Sequence, residues 1–250
     1  MMKLLDLTLA TPAENLACDE ALLDWAEAGS GEVLRFWESR EHFVVVGYAN
    51  KVETEVNVAA CTARKIPIFR RCSGGGTVLQ GPGCLNYTLV LQIARHSPLA
   101  NISSTNKFVM ERNGEAVQSA MGNRQSAISV CGHTDLALGD RCLASGFGRK
   151  FSGNSQRRHK NALLFHGTFL LNFDLTLINK LLQMPSHPPD YRDNRGHGDF
   201  LSNLNVPVDH LKGALARVWN ADGEMHDLPD KELHKLAAEK YSTVRWNFKS

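Results

Sequence analysis

The sequence predicts an α+β fold, a mixed and largely antiparallel sheet with packed helices. Stretches with helical spacing are interspersed with short runs rich in valine, isoleucine and phenylalanine. Several of these runs are separated only by turns, which argues against a plain strand–helix–strand repeat. Of the 250 residues, 43% are hydrophobic and 22% charged, the composition of a folded chain with one large domain or two small ones.

Thr11-Pro12-Ala13-Glu14 is a helix start: Thr caps, Pro takes the first helical position, and Glu14 completes a capping box. That helix runs through Ala26 and stops at Gly29-Ser30-Gly31. Leu34–Trp37 and Phe43–Val46 read as strands, the second apolar throughout and therefore central. Val52, Val56, Ala59, Ala60 and Ala63 share a helix face, and Ile66–Phe69 is a strand leading into two arginines. Thr77–Leu79 and Leu85–Gln92 are strands joined by the turn Gly81-Pro82-Gly83. A helix over Ser104–Met121 is followed by strands near Ala127–Val130, Asp135–Leu138, Ala162–Phe165 and Thr168–Asn172. Helices close the chain at Leu175–Leu182, Val208–Trp219 and Pro229–Lys240. Met184–Gly198, rich in Pro, Gly and charge, is either an ordered loop or lid over a site or a plain surface connector.

The formal charge of +2 argues against nucleic-acid binding. Cysteines stand at 18, 61, 72, 84, 131 and 142 with no C-x-x-C pair, so a zinc knuckle is not expected. A chain this long needs no disulfide staples, and the thiols read as reduced and the compartment as cytoplasmic. Asp6 interrupts the N-terminal apolar run too early for a signal peptide, and no run approaches the roughly 20 apolar residues of a membrane span.

Chemistry concentrates in two blocks. The first, Arg70 to Tyr87, reads R-R-C-S-G-G-G-T-V-L-Q-G-P-G-C-L-N-Y. Arg70 and Arg71 offer permanently charged, forked donors, Gly74, Gly75 and Gly76 offer approachable amides, and Ser73, Gln80 and Asn86 offer neutral polar groups. It is a loop for a carboxylate or phosphate, or a glycine-rich hairpin with solvated arginines. It has neither the G-K-[ST] of a P-loop nor a G-x-G-x-x-G. The second block, Gly148 to Gln156, presents Lys150 among glycines, as a point charge for a ligand oxygen or as part of an exposed basic turn. His166, where a strand meets a turn, is a hydrogen-bonded structural residue or a catalyst. Asp135 is a magnesium ligand or a turn aspartate. Any of Cys72, Cys84 and Cys131 becomes a nucleophile if a cation lowers its pKa, and is otherwise an inert buried thiol.

Taken in order, R-R-x-S-G-G-G-x-V at Arg70–Val78, G-x-L-N-Y at Gly83–Tyr87, Asp135-Leu136, G-R-K-x-S-G-x-x-Q at Gly148–Gln156 and H-G-T-x-L-L at His166–Leu171 resemble the lipoate–protein ligase family, of the biotin/lipoate ligase catalytic-domain superfamily. The resemblance covers most of the chain and implies a single catalytic domain over residues 1–250. It implies an ATP-dependent reaction in which lipoate becomes lipoyl-adenylate and is then passed to a lysine of a lipoyl-domain acceptor protein. By that analogy Lys150 contacts the activated carboxyl and phosphate oxygens. Arg70, Arg71, Ser73 and Gly74–Gly76 hold the ligand's polar end, and the acyl chain runs into a groove lined by Val78 and Leu79. Gln80, Asn86, Ser152, Gly153, His166, Gly167 and Thr168 complete the substrate and adenylate site, and Asp135 binds Mg2+.

The chain departs from the family pattern in three places. Gln80 stands where many such ligases carry histidine. The stretch Cys142–Gly148 lengthens the loop between Asp135 and Lys150. No accessory C-terminal domain precedes the end at Ser250, which leaves room for a separate accessory-domain subunit. The rival activity is an octanoyl- or lipoyltransferase that carries the acyl group as a cysteine thioester without ATP, with Cys131 and Cys84 as candidate thiols. A third possibility is a lipoate or biotin binder without turnover, against which the intact Lys150 argues.

Overall fold

The computed structural model describes residues 1–122, 126–139 and 148–249. Cys142 to Phe147, most of the lengthened stretch, lies outside the described residues. In chain order the elements are β1 (Met2–Asp6), α1 (Pro12–Glu27), β2 (Val33–Trp37), β3 (Phe43–Val46), α2 (Val52–Glu55), α3 (Val58–Ala63), β4 (Ile68–Arg70) and β5 (Val78–Gln80). Then come β6 (Cys84–Gln92), α4 (Ile102–Met121), β7 (Ile128–Cys131), β8 (Asp135–Leu138), β9 (Arg149–Arg158) and β10 (Ala162–Leu170). The last are α5 (Thr176–Leu181), α6 (His197–Phe200), α7 (Val208–Trp219), β11 (Ala221–Glu224), α8 (Asp230–Leu236) and α9 (Val244–Asn247).

An 8-stranded sheet runs β11-β1-β2-β6-β10-β9-β8-β7 and a 3-stranded sheet runs β4-β3-β5. The large sheet is parallel only across β11, β1 and β2 and antiparallel elsewhere, the mixed α+β architecture expected. Side chains alternate between its faces. Leu34, Phe36, Leu85, Tyr87, Leu89, Leu163, Phe165 and Phe169 pack against Val109, Val117, Leu211 and Leu215 of α4 and α7. Their neighbours in sequence, Arg35, Trp37, Asn86, Thr88, His166 and Thr168, face the opposite way. There α1 packs through Cys18, Ala21 and Leu22 on Val90 and Leu164. The small sheet completes that side, with β3 buried at every position. Between α1, the small sheet and the polar face of the large sheet lies a cavity.

Several expectations are corrected. Met2–Asp6 and Ala221–Glu224 pair as strands that the sequence reading had not assigned. The helix over residues 52–63 is broken in two, because Val56 leaves it to bridge Leu182. Gly148–Gln156 is no turn: from Arg149 it is a ten-residue strand, paired on both sides by β8 and β10, and this pairing holds a polar sequence extended. His166-Gly167 is likewise not a turn between two strands but the middle of β10. Gly167 serves close packing there, since a Cβ would collide with the Asn154 side chain. The capping box at α1 forms as expected, with Glu14 N donating to Thr11 Oγ1 at 3.2 Å and Thr11 N to Glu14 Oε2 at 2.8 Å.

Candidate active site

Strand register sets the site. Arg35, Thr88, His166 and Ser155 are successive cross-strand partners on β2, β6, β10 and β9, and Trp37, Asn86, Thr168 and Gly153 form the next row. Gly153 in turn pairs with Asp135 on β8. These rows floor a cavity of about 720 Å³ whose walls include Leu16 and Asp19 of α1, Arg71 and Gly75 to Gln80, the hairpin turn Gly132–Asp135, and Pro185 with His187 to Arg192; Ser73 and Gly74, expected at the ligand, lie behind this wall.

At one end, Lys150 Nζ lies 2.9 Å from Asp135 Oδ1, both side chains mostly shielded from solvent. The lysine stem crosses Gly153: a Cβ there would lie 2.8 Å from Nζ and 2.9 Å from Cε, so the ammonium occupies the space a side chain would fill. Tyr191 Oη donates to Asp135 Oδ2 at 2.6 Å. Burial, reinforced by that carboxylate, pushes the Tyr191 phenol far above its ordinary pKa and keeps it a donor. Both Asp135 oxygens are therefore engaged, one by Lys150 and one by Tyr191, each keeping a further lone pair. Among the described residues no cluster of three His, Cys, Asp or Glu side chains could hold a metal ion.

Further along the floor, Gln80 Nε2 donates to Thr168 Oγ1 at 2.6 Å, and Thr168 donates to Asn86 Oδ1 at 2.8 Å. Gln80 Oε1, Thr77 Oγ1 and Trp37 Nε1 are buried without a hydrogen-bond partner among the described residues, and all three side chains line the cavity. Buried polar atoms left in this condition are costly, and a bound ligand or water relieves that cost. Val78, Leu170, Ile178, Leu182 and Phe200 supply apolar wall.

The two arginines, expected as anion binders, are placed differently. Arg70 is fully buried and does not line the cavity. Its guanidinium donates to the carbonyls of Gly47 (2.9 Å), Tyr48 (3.1 Å), Asn50 (2.7 Å), Trp246 (3.1 Å) and Lys249 (2.9 Å). Carbonyls from residues 47–50 and 246–249 take hydrogens from all three of its nitrogens, and the guanidinium is turned away from the cavity. Arg71 reaches the cavity, but its Nη2 donates to the carbonyls of Gly74 and, at 2.8 Å, Gly76, and its Nε donates to Ser73 Oγ at 3.1 Å. Burial holds its pKa down to about 10, and the side chain shapes the glycine turn from within.

Ser73 is buried, its Oγ 2.5 Å from His166 Nε2, and His166 Nδ1 lies 3.2 Å from Asp19 Oδ2. Asp19 also takes Arg35 Nη1 at 2.6 Å. Burial alone would raise the Asp19 carboxyl, but Arg35 and His166 outweigh it and hold its pKa below the ordinary carboxylate value. The sequence reading missed Asp19, Arg35 and Tyr191. An arginine inside the apolar strand V-L-R-F-W was the available signal, since a buried cation requires an anion opposite it.

The thiols separate. Cys84 is buried, with Sγ 4.0 Å from Leu79 O, and burial lifts its pKa far above the ordinary thiol value. Burial likewise pushes Cys72 up to about 12 and Cys18 to about 11. Cys131 is also fully buried and does not itself line the cavity; it differs in its place at the corner of the β7–β8 hairpin, the cross-strand partner of Asp135, so both side chains leave the hairpin on the same face. Gly132, His133 and Thr134 carry that corner into the cavity wall.

The segment expected as a loop or lid lies over this corner. Pro189 and Tyr191 approach Gly132, Arg192 Nη2 bonds His197 Nδ1 at 3.2 Å, and Arg192 stacks on Phe200 at 4.7 Å.

This arrangement matches known proteins. The family model described as the lipoyl protein ligase A/B catalytic domain matches residues 11–215. The chain belongs to this family. It is 28% identical over 271 residues to octanoyltransferase LipM of Bacillus subtilis, covering 96% of this chain and 95% of that one. It is 26% identical to lipoate-protein ligase A subunit 1 of Thermoplasma acidophilum, again over 96% and 95% of the two chains. Lipoate–protein ligase 1 of Staphylococcus aureus is 27% identical, with 96% of this chain covering 71% of the relative. Among solved structures, a bipartite lipoate protein ligase from Thermoplasma acidophilum, described with its E2 lipoyl domain, superposes with a TM-score of 0.77 at 23% identity, over 99% of this chain and 97% of that one. An ATP-bound lipoate-protein ligase A gives 0.74 at 23% identity, with the same coverage. These superpositions establish the biotin/lipoate ligase-like fold. Among the described residues no helix is long and apolar enough to cross a membrane.

Proposed function

We propose that this protein transfers an octanoyl or lipoyl group to the lysine of a lipoyl domain, carrying the acyl group on Cys131 while Lys150 stabilises the carbonyl oxygen. The observation that supports this reading best is the place of Cys131, across the hairpin from the carboxylate that holds Lys150 at 2.9 Å. The Cys131 thiolate attacks the carbonyl carbon of an acyl thioester. A new C–S bond forms, the old one breaks, and the donor thiolate leaves. The acceptor amine then attacks the same carbon, the C–N bond forms, Cys131 departs as thiolate, and the amine's proton passes to solvent. In both steps negative charge gathers on the carbonyl oxygen. A fixed ammonium in a site shielded from water lowers that barrier, the kind of contribution usually worth about 10²–10³ in rate. The relatives named as octanoyltransferases support this reading.

The second reading is ATP-dependent ligation, with Lys150 placed between the lipoate carboxylate and the α-phosphate. The relatives named as lipoate–protein ligases favour it. In either case the acceptor is a lipoyl domain, as in the bipartite neighbour, and an accessory subunit belongs to the second reading.

Intact-protein mass spectrometry separates the two. Incubation with an octanoyl thioester of acyl carrier protein is expected to give an acyl adduct on the enzyme, absent in Cys131→Ser, and then an acylated lipoyl domain. Labelling of the domain only with ATP and lipoate, with pyrophosphate released and Cys131→Ser fully active, would overturn the thioester route.

A further inference from the structure

His166 has both ring nitrogens engaged, so the transfer chemistry above leaves it with no atom for a substrate. The hydrogen bonds around it run in a fixed direction. A guanidinium only donates, so Ser73 Oγ accepts from Arg71 Nε at 3.1 Å. An ionised carboxylate only accepts, so Asp19 Oδ2 takes the hydrogen on His166 Nδ1 at 3.2 Å. With one proton on the ring, Nε2 is the acceptor, and the Ser73 hydroxyl fills it at 2.5 Å. The other Asp19 oxygen takes Arg35 at 2.6 Å, which keeps the carboxylate ionised and the direction set.

The start of this chain organises the glycine turn. Arg71 draws the carbonyls of Gly74 and Gly76 toward itself, and Ser155 Oγ donates to Gly74 O at 2.9 Å. In a trans peptide the N–H points opposite to the carbonyl, so the amides of Gly75 and Thr77 are turned away from the guanidinium. Gly75, Gly76 and Thr77 all line the cavity.

We propose that His166, fixed by Asp19 in the Nδ1–H tautomer, is a positioning residue: it orients Ser73, and Ser73 with Arg71 sets the tri-glycine turn whose amides receive the acyl carbonyl or an anion. The proposal rests on the transfer reading above for its kinetic consequence and on geometry alone for its tautomer. With a second proton on the ring, Nε2–H would donate to Ser73, and the serine's own hydrogen would have to leave the chain.

The test joins a spectroscopic and a kinetic arm. ¹⁵N side-chain NMR of the ligand-free protein at neutral pH is expected to show His166 as the Nδ1–H tautomer. Ser73→Ala, which leaves the Asp19–Arg35 pair intact and so spares the fold, is expected to keep that ring in the Nδ1–H tautomer, because Asp19 sets it. In transfer assays Ser73→Ala and His166→Gln are each expected to lower kcat by about 10–100-fold, with KM for the lipoyl domain unchanged. The double variant is expected to be no slower than the slower single one, because the two residues act as a unit. An Nε2–H ring in the unaltered protein, or losses that multiply in the double variant, would overturn the proposal. If no acyl transfer occurs under any condition, the transfer reading fails, and the NMR arm still decides the tautomer.

Discussion

Gly153→Ala gives a direct measure of how closely the Lys150 ammonium must be held. The new Cβ would stand 2.8 Å from Nζ, 2.9 Å from Cε and 3.6 Å from Asp135 Oδ1. Ordinary contact between such atoms is roughly 3.5–4.0 Å, so the ammonium must retreat by about 1 Å. The backbone at Gly153 lies outside the left-handed region, so alanine fits without strain. The clash is with the mobile end of a side chain, and alanine in a strand interior is favoured over glycine by about 0.5–1 kcal/mol. The expected outcome is a melting temperature equal to or slightly above that of the unaltered protein, with the transfer rate down about 10²-fold, the usual consequence of misplacing a catalytic group by about 1 Å. The assays are thermal unfolding followed by circular dichroism and acyl transfer to a lipoyl domain followed by intact mass. An unchanged rate would refute the assignment of Lys150 as the charge acting at the reacting carbonyl. A large fall in melting temperature would mean that the backbone, and not the lysine, requires the glycine.

Arg70→Met leaves five carbonyls without their shared donor and is expected to cost about 3 kcal/mol in urea unfolding; a loss under about 1 kcal/mol would contradict the clamp. Tyr191→Phe removes the hydroxyl from Asp135, and a fall in transfer rate of about 10–100-fold is expected, about the worth of one hydrogen bond to a charged group. No change in rate would place Tyr191 outside the working site. His197 is held below its ordinary pKa by burial and then by Arg192. The unfolded chain therefore takes up this proton first, and stability is expected to fall as pH drops below about 6.5 toward the lower folded value. In His197→Asn that part of the slope should vanish from urea titrations across this range, and its persistence would move the cause elsewhere.

What the sequence disclosed depended on how local the cause was. The α1 start was legible because Thr11, Pro12 and Glu14 satisfy a helix end among themselves. The all-apolar β3 was legible because burial on every side leaves one pattern. β9 was not, since R-K-F-S-G-N-S-Q-R-R has a single β-former, Phe151, and is extended because β8 and β10 pair with it. His166-Gly167 was misread for a related reason, the glycine answering a collision with Asn154 and not a bend. In the site, the motif residues Lys150, Ser73, His166, Gln80, Asn86 and Thr168 do converge on one region. Arg70 does not, because a doubled arginine beside glycines looks the same whether it serves an anion or distant carbonyls. Asp19 lies 147 residues from His166, and no spacing rule reaches that far.

The Arg70 clamp also sets a timetable. Its partners at Trp246 and Lys249 lie 176 and 179 positions further along the chain. A nascent polypeptide therefore leaves this guanidinium to water until Trp246 and Lys249 have been made. The strand end beside the glycine turn is therefore fastened only after a segment 176 to 179 positions downstream has been made.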